Sequence, residues 1–573
     1  MAGLARVAMG RWRLAAAAIA LALLVWLPLG VAGLPLDTPD GFLHLGWSVA
    51  WVRQLQAGWL WPTWSDLPWA GAGSFALLIY PPLFRVISGL PMLIGVPPDQ
   101  AIASGLLVIL LVNALGAAAL AQAWLRPGGW RWLLLLTAAL NPYLWVNLYV
   151  RGAWPEALAQ ALLWWLALGL LGLERRLRWG IPLSTAALAG IVLSNWNGAL
   201  LTGLIWALAG FGLWRQGRWR SWLLSSGLAL GLSSPFWLPA LLALGSVRPP
   251  MPAGLFTTEF FFGGGGGPRT FADLLWVQGL CLALLLALRG LGWGWRGWRY
   301  NPRSNLLAPW GLWIAVLGLA LMLPHAQGVY DLLTPLQRIQ FPWRWLAPAW
   351  LGALLWLCSP GALEPQPARR RWGIAVLGLA AIGLWGDSLG RFSANWVGHA
   401  PSRLEQRALR RLLACDPLRP CPDGVQALPA QGELSKRFVA LPDGRIALSG
   451  VPDYSPAGIP DASWNARLAI FWLPRWPQNT WAQFQGAGQV DLLHRGPQER
   501  TVLVQANQPG RLRLMQWAHP SWRVQWRAAA QGNKPAGSWS APLAKGGRDA
   551  QGWISVPLEP GLWQVGLTYE RLH

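Results

Sequence analysis

The stretch 36–82, LDTPDGFLHLGWSVAWVRQLQAGWLWPTWSDLPWAGAGSFALLIYPP, is the first polar segment after the first apolar run of the chain. Its ionisable residues are Asp37, Asp40, His44, Arg53 and Asp66. The whole chain of 573 residues has only 23 Asp and Glu, so acids are concentrated here. Ionisable groups held against a bilayer usually belong to a functional site. We therefore expect an active site at the outer membrane surface, built on a scaffold of membrane helices.

The composition is that of an integral membrane protein. Hydrophobic residues make up 54% and charged residues 12% of the chain, and the mean hydropathy is +0.34. One soluble core cannot bury that much apolar sequence. The net charge of +23 lies largely in arginines between apolar runs, a pattern of membrane topology and not of nucleic-acid binding. The 45 Trp suit interfacial belts, and a few are candidates for stacking on sugars.

The apolar runs predict about 11–13 transmembrane helices. The first run, Leu14 to Gly33, follows three arginines without a cleavage site, so we expect an uncleaved helix with a cytoplasmic N-terminus. Arginine-rich loops, such as 175–178, mark the cytoplasmic side. The apolar runs number twelve, whereas a cytoplasmic N-terminus and a C-terminus on the outer side require an odd number of spans. One run between Gly33 and Arg151 is therefore expected to be re-entrant, broken or merged with its neighbour.

Two domains are predicted. Residues 1–389 form the transmembrane domain, in which residues 34–75 are the first external loop. Residues 390–573 contain no spanning run, and short alternating segments between turns predict an extracytoplasmic β-sandwich. A disulfide between Cys415 and Cys421 would suit an oxidising exterior. The predicted strands are Arg437–Leu441, Arg445–Leu448, Arg467–Leu473, Thr501–Gln505, Arg511–Trp517, Trp522–Arg527, Trp553–Val556 and Leu562–Tyr569.

Within the first loop, Thr38-Pro39-Asp40 predicts the start of a helix that ends near Gln56. Threonine suits the N-cap, proline the first position and an acid the first turn. Asp40 and His44 are four residues apart and share one face. The helix is amphipathic and too polar to span, so it is expected to lie along the interface. Asp40 has two interpretations, an active-site acid or a charge that only stabilises the helix N-terminus.

Other outer loops bring further charges to the same side of the membrane. Arg151 and Glu156 stand at the end of one predicted span, and Arg338 and Arg344 lie in RIQFPWRWL. Arginine can bind a phosphate through two parallel hydrogen bonds, which makes these arginines candidates for phosphate binding. A structural salt bridge and snorkelling side chains are the alternatives. The sequence contains neither zinc-ligand spacing nor a phosphate-binding loop motif.

Several motifs, taken in order, resemble those of one family. They are LDTPDGFLH, GWLWPTWSDLPWAGAGSF, IYPPL, LNPYLWVNLYVRGAWPEALA, SSPFWLPAL, RIQFPWRWLAPA and VPDYSPAGIP. Their order resembles that of bacterial 6-pyruvoyl-tetrahydropterin synthase-related membrane proteins, which in turn resemble the C-type (GT-C) glycosyltransferases. The resemblance covers most of the chain. It implies a GT-C-like membrane fold and transfer of sugars from polyprenyl-phosphate carriers outside the bacterial inner (plasma) membrane.

The resemblance also implies roles for individual residues. Asp40, with Asp37 as the alternate, would take a proton from the acceptor hydroxyl, and His44 would orient Asp40 or bind a cation. The implied phosphate ligands are Arg151, Arg338 and Arg344, and the implied supporting residues are Glu156, Asp453 and Tyr454. A divalent cation, Mg²⁺ or Mn²⁺, held by Asp37, Asp40 and Glu156 is an alternative use of the same acids.

Two classes of function stay open at this point. The first is a glycosyltransferase that moves a sugar from a polyprenyl-phosphate carrier to a glycan, lipid or protein acceptor at the extracytoplasmic face. The second is a non-catalytic GT-C-like protein that acts in transport or assembly of surface polysaccharide. A transporter is expected to carry ionisable residues near the midplane of several spans. These spans have few, which favours chemistry at the membrane surface.

Overall fold

The fold is taken from a computed structural model. The structure describes residues 2–35, 38–68, 73–247, 255–262, 271–293, 306–359, 368–399, 438–440, 446–449, 470–472, 481–496, 498–532, 535–542, 547–550 and 552–570. Five residues considered above lie outside these ranges. They are Asp37, Cys415, Cys421, Asp453 and Tyr454.

Apolar helices joined by short loops make up the larger part of the molecule. They pack on one another through a continuous core of buried aliphatic and aromatic side chains. The helices are α1 (Ala2–Ala32), α2 (Gly41–Gln56), α3 (Ala76–Ile79), α4 (Leu83–Leu93), α5 (Pro98–Trp124), α6 (Gly129–Ala139), α7 (Pro142–Trp145), α8 (Trp154–Glu174), α9 (Gly180–Val192), α10 (Trp196–Arg215), α11 (Trp219–Ala243), α12 (Ala272–Trp293), α13 (Leu307–Leu321), α14 (Gln327–Leu332), α15 (Thr334–Gln337), α16 (Leu346–Cys358) and α17 (Ala368–His399).

The chain is an integral membrane protein by the length and polarity of its helices. Within the described ranges, 6 helices are long and apolar enough to cross a bilayer, and a bent pair, Leu307–Leu321 with Pro324–Leu332, makes up to 7. The number predicted from the sequence is larger because several predicted runs form shorter apolar helices, such as Leu83–Leu93, Gly180–Val192 and Leu274–Gly290.

The length of α4 bears on the odd number of spans. This helix has 11 residues, so it extends about 16 Å, roughly half the thickness of the hydrocarbon core. It packs against α2 and α5, and Ser88 of α4 shares a hydrogen bond of 2.8 Å with Ser48 of α2. Of the three explanations considered above, these features favour a re-entrant segment.

The helix predicted to begin at Thr38 begins at Gly41 instead. Asp40 occupies the N-cap position, but its side chain makes no capping hydrogen bond. Thr38 Oγ1 accepts a hydrogen bond from Gly41 N at 3.2 Å and donates one to Pro35 O at 2.9 Å, so Thr38 stabilises the turn before the helix. Most residues of α2 are buried by the surrounding protein. Because Thr38 accepts the hydrogen bond from Gly41 N, the Asp40 carboxylate takes no part in capping the helix.

The described residues of the C-terminal part form three antiparallel sheets with the strand orders β1-β2-β3, β5-β6-β10-β8 and β4-β7-β9. All the strands predicted from the sequence are present, and β4 and β5 occur in addition. The four-stranded sheet and the sheet β4-β7-β9 enclose one apolar core, so they form the predicted β-sandwich. The strands are β1 (Phe438–Ala440), β2 (Ile446–Ser449), β3 (Ile470–Trp472), β4 (Ala482–Gln485), β5 (Gly488–Arg495), β6 (Glu499–Ala506), β7 (Gly510–Trp517), β8 (Trp522–Ala528), β9 (Trp553–Leu558) and β10 (Gly561–Tyr569).

The predicted boundary between the two domains falls inside a helix. The last helix of the bundle, α17, continues past Leu389 to His399.

The β-sandwich rests on the first loop of the membrane domain. Trp64 is fully buried there, and its ring centroid lies 5.8 Å from that of Trp522 and 5.5 Å from that of Tyr569. Thr63 donates a hydrogen bond of 3.3 Å to the Tyr569 hydroxyl. The predicted first external loop is therefore partly an interface between the domains.

Two charged residues of the opening stretch form an ion pair within this loop. Arg53 and Asp66 pair with each other at 3.5 Å. Gln54, the neighbour of Arg53, accepts a hydrogen bond from Gln498 of the β-sandwich. These contacts assign Arg53 and Asp66 to the part of the loop that supports the sandwich.

Candidate functional site

Two arginines and one glutamate from separate parts of the chain meet in a buried cluster. Glu156, in the first turn of α8, pairs through Oε1 with Arg151 Nη1 and through Oε2 with Arg344 Nε, each at 3.1 Å. Tyr143 donates its hydroxyl hydrogen to Glu156 Oε1 at 2.7 Å. All four side chains are buried, where charges require paired partners. One carboxylate thus holds two guanidinium groups in fixed positions.

A break in the helix before α8 places Arg151 in this cluster. Asn141 caps α7 through its side chain, and the chain then forms a π turn, Val146–Val150. Arg151 N donates to Val146 O at 2.8 Å, which closes the turn. The Arg151 Nη1 group also donates to Asn147 Oδ1 at 2.6 Å. Single π turns within α-helices are frequent at functional sites.

Gly152 joins the cluster to the start of α2. Its φ of +69° lies in the left-handed region that glycine adopts without strain. A Cβ at this position would overlap the Gly41 backbone and Thr38 Oγ1. The close approach allows Asp40 N to donate to Arg151 O at 2.9 Å. It also places Asp40 Oδ2 3.8 Å from Arg151 Nη2.

Replacing Gly152 by alanine is expected to destabilise the protein and lower its activity. The left-handed backbone and the overlap of the new Cβ each add strain, together about 1–3 kcal/mol or more. Gly217→Ala is the matched control, because Gly217 has a φ of +71° and nothing lies within 4 Å of its Cβ position. Thermal unfolding in detergent measures both variants. Equal losses of stability would show that the contact between Gly152 and α2 contributes nothing.

Aromatic rings support both arginines of the cluster. The guanidinium carbon of Arg151 lies 4.6 Å from the centre of the Trp343 ring, and that of Arg344 lies 4.7 Å from the Phe341 ring. The two rings stack at 4.8 Å with an interplanar angle of 8°. Trp343 Nε1 donates to Glu259 at 2.9 Å, which fixes the indole. Desolvated cation–π contacts of this kind contribute about 2 kcal/mol each.

Asp40 is the accessible acid of this group. Its side chain is 37% exposed, compared with 3% for Arg151 and 7% for Glu156. Burial of its surroundings nevertheless raises the pKa of Asp40 above the usual value, against the opposing effect of Arg151 and Arg344. Burial alone would lower the pKa of Arg151, but Glu156, Tyr143 and Asp40 together outweigh it and the pKa is raised, so Arg151 stays charged. A carboxylate with a raised pKa is a better proton acceptor than an ordinary aspartate.

The structure places His44 in a different setting from the one predicted. The ring is buried among Trp47, Tyr80, Phe84 and Trp154, at centroid distances of 5.3–6.1 Å. Burial and the nearby Arg151 lower the pKa of His44 to about 3, so the imidazole is neutral. The aromatic rings give His44 a packing role in α2. Its predicted role beside Asp40 stays a prediction.

Arg338 stands apart from the other two arginines, and its role in phosphate binding stays a prediction. Its side chain is exposed, whereas Arg344 is buried and paired with Glu156. In the Asn197 amide orientation that satisfies its neighbours, the amide nitrogen donates to Arg338 O at 2.9 Å, so the backbone of Arg338 lies beside the cluster. Of the three arginines predicted to bind phosphate, Arg151 and Arg344 share one site.

Of the three acids predicted to hold a divalent cation, Glu156 is engaged by arginines and Asp37 lies outside the described residues. Both oxygens of Glu156 are occupied by arginines, and Oε1 also accepts from Tyr143. Among the described residues, no group of three or more His, Cys, Asp or Glu could hold a metal ion. A role for Mg²⁺ or Mn²⁺ remains a prediction that depends on Asp37 and Asp40.

The sequence analysis missed the neutral residues that complete the cluster. Tyr143 bonds Glu156 and Asn147 bonds Arg151. Asn197 accepts a hydrogen bond from Arg344 in the amide orientation that satisfies its neighbours. The available signal was the polar content of LNPYLWVNLYVRGAWPEALA, a segment otherwise predicted to span the membrane. Buried neutral groups of this kind serve as partners for the charges beside them.

The similarities to known proteins are to solved structures of 14–18% sequence identity. No family model and no curated protein matches the chain. A mutant of the arabinofuranosyltransferase AftD from mycobacteria aligns with a TM-score of 0.42 and 18% identity over 69% of this chain and 29% of its own. ArnT from Cupriavidus metallidurans, bound to undecaprenyl phosphate, aligns with a TM-score of 0.40 and 15% identity over 71% of this chain and 81% of its own. Another AftD structure aligns with a TM-score of 0.40 and 14% identity over 97% of this chain and 57% of its own.

Two of these neighbours are structures of an arabinofuranosyltransferase, and the third is bound to undecaprenyl phosphate. The chain spans less than a third of the first of them. The alignments are too loose to carry an argument about activity, and the relationship to 6-pyruvoyl-tetrahydropterin synthase-related proteins remains a prediction. Any functional conclusion therefore depends on the residues of this chain.

Proposed function

We propose that the protein is a membrane glycosyltransferase that moves a sugar from a polyprenyl-phosphate carrier to an acceptor hydroxyl. The observation that carries the proposal is the arrangement of Asp40, Arg151 and Arg344 around Glu156. Two guanidinium groups face one fully buried carboxylate, which leaves one positive charge beside the exposed Asp40. A site of this kind offers a base and a phosphate-binding cation close enough to contact the same substrate molecule.

The proposed reaction divides the work between these two parts. Asp40 takes the proton of the acceptor hydroxyl while the hydroxyl oxygen forms the new bond to the anomeric carbon of the sugar. The bond from that carbon to the carrier phosphate breaks, and the phosphate oxygen leaves with the electron pair. Arg151 and Arg344 stabilise the developing negative charge on the phosphate, because they are already fixed by Glu156 and need no reorganisation.

We place the site at the extracytoplasmic face of the bacterial inner membrane. Glu156 lies at the start of α8, and the helix has 21 residues, which is about 30 Å. The basic loop 175–178 follows the other end of the same helix. The positive-inside rule assigns such a loop to the cytoplasm, so Glu156 belongs one membrane thickness away on the outer side. The β-sandwich, which contacts the first loop, is then also outside.

Turnover of polyprenyl-phosphate sugars tests this function. Purified protein is given a panel of such donors with soluble glycan acceptors, and transfer is compared with that of Arg151→Lys. Lysine keeps the charge but loses the planar fork, so kcat/KM is expected to fall about tenfold to a hundredfold. Arg391→Lys is the control, because Arg391 forms an exposed pair with Asp387 on α17. No transfer with any donor would favour the non-catalytic alternative in polysaccharide transport or assembly.

The pH dependence of transfer is expected to reflect the raised pKa of Asp40. A base works only when deprotonated, so kcat/KM falls as the pH falls through that pKa, at a higher pH than an ordinary aspartate would cause. Arg344→Gln removes one of the charges that hold the pKa down, so its acidic limb is expected at higher pH. Profiles of both proteins measure this, and an unmoved or lower limb in the variant would contradict the assignment of Asp40.

A further inference from the structure

The outer face of the four-stranded sheet carries features that the proposed transfer site does not use. This face points away from the core of the sandwich and presents mainly amide, hydroxyl and charged side chains. Its residues are Gln489 and Asp491 of β5, Thr501, Leu503 and Gln505 of β6, Leu562, Gln564, Gly566 and Thr568 of β10, and Arg523, Gln525 and Arg527 of β8.

A tryptophan is held over part of this face. Trp539 lies in a segment that follows the edge of β8, where Ser540 N donates to Trp526 O at 2.8 Å and Ser540 Oγ accepts from Trp526 N at 3.1 Å. The ring reaches over β10 at Gly566, where an added Cβ would lie 3.2 Å from the indole. The glycine therefore leaves the space that the ring fills.

One face of the same ring is covered by the Arg527 guanidinium. The guanidinium carbon lies 4.4 Å from the ring centre, and Gln564 Oε1 accepts two hydrogen bonds from this arginine at 2.9 and 2.8 Å. Trp539 still keeps 40% of its surface exposed. A large ring that is immobilised and exposed offers contact area without an entropy cost on binding.

We propose that this face binds a glycan chain, with Trp539 stacking on a sugar ring. Amide side chains donate and accept hydrogen bonds as sugar hydroxyls do. Gln525 lies opposite Gly566 in the strand register and donates to Ser540 O at 3.0 Å. Gln564 lies opposite Arg527, so both amides border the segment that holds Trp539. A protein partner would need a larger apolar centre. A nucleic acid would need more cations, and Arg523 is already paired with Glu570.

The strands of this sheet lead from the ring towards the membrane domain. Tyr569 ends β10 and bonds Thr63 of the first loop, and Gly566 lies three residues before it. At about 3.3 Å per residue, the ring stands roughly 10 Å from that loop. A glycan lying along the strands would extend towards α2, so the face suits a polymeric acceptor. The choice of a glycan as the acceptor rests on the proposed function.

Isothermal titration calorimetry of the full chain in detergent tests the proposal. The probes are oligosaccharides of glucose, mannose, galactose and arabinose, without any carrier lipid. At least one is expected to bind, and Trp539→Ala is expected to weaken that binding about tenfold or more. Gly566→Val keeps the tryptophan but displaces it, so the same loss is expected. Leu493→Ala, at an exposed position of β5 in the same sheet, is the control and should bind as the unchanged protein does.

Two results would overturn this inference. One is that none of the four oligosaccharide classes binds, and the other is that Trp539→Ala binds as tightly as the unchanged protein. Transfer to a short soluble acceptor is measured in parallel and should be the same in Trp539→Ala, because the ring lies away from Asp40. Absence of all transfer with binding that depends on Trp539 would reject the transferase and leave the glycan surface standing.

Discussion

Asp40→Asn is expected to lower kcat by about 10²–10⁴, the usual contribution of a positioned base. Asparagine has the size of aspartate but cannot accept the proton of the acceptor hydroxyl. The start of α2 should be unchanged, because the Asp40 side chain makes no capping hydrogen bond and its backbone N–H bonds Arg151 O in either case. The large expected effect is therefore on chemistry, with little loss of stability.

The measurement is transfer from a polyprenyl-phosphate sugar at saturating donor, together with thermal unfolding in detergent. Asp387→Asn is the matched control, because Asp387 is 43% exposed and pairs with Arg391, much as Asp40 lies beside Arg151. A variant at position 40 that keeps full turnover would remove Asp40 from the reaction. A variant that unfolds would instead assign the residue to the structure of the first loop.

Glu156→Gln is expected to lower the free energy of unfolding by about 3–5 kcal/mol, the cost of removing one partner from a buried ion pair. The neutral amide leaves Arg151 and Arg344 without their common counter-charge, and the two guanidinium groups then repel each other. Removal of the charge should also separate the guanidinium groups, so activity is expected to be lost as well.

Thermal unfolding and denaturant titration in detergent measure this loss. Glu174→Gln is the control on the same helix, because Glu174 is also buried and accepts a hydrogen bond of 2.6 Å from Leu306 N, which an amide oxygen can still accept. The stability of Glu174→Gln is expected to change much less. Equal changes at the two positions would mean that the ion-pair cluster does not stabilise the fold in the way described.

The charged part of the site could be predicted from the sequence because charges are rare in this chain. Asp40, Arg151, Glu156 and Arg344 stand out at the ends of apolar runs, and the structure brings these four together. His44 stood out equally by type, but its surroundings decide its role, and they come from aromatic residues up to Trp154. Long-range packing of that kind leaves no local signal.

Neutral partners and supporting rings could not be predicted in the same way. The Trp343 ring packs against the Arg151 guanidinium, yet Trp343 is one of 45 Trp in the chain and nothing in its local sequence distinguishes it. Tyr143 and Asn147 lie in a segment predicted to span, where the π turn that directs them has no sequence signature. These contacts are set by the three-dimensional meeting of α8 with the segments before it.

The fold was predictable to a similar degree. Alternation of apolar and polar residues identified strands such as β6 and β10, which have one face in the core. It failed for β4 and β5, because β5 is an edge strand with mostly exposed residues and an irregularity near Leu492. Helix starts were less certain than helix positions, and the N-cap moved from Thr38 to Asp40.

The central claim is that Arg151 and Arg344 hold a carrier phosphate beside the carboxylate of Asp40. Equilibrium binding of undecaprenyl phosphate to Asp40→Asn tests it most directly, since the variant removes a negative charge next to the proposed phosphate position. The account predicts tighter binding than in the unchanged protein together with the loss of transfer, because repulsion is relieved while the base is gone. Binding that is weaker or unchanged in this variant would contradict the account.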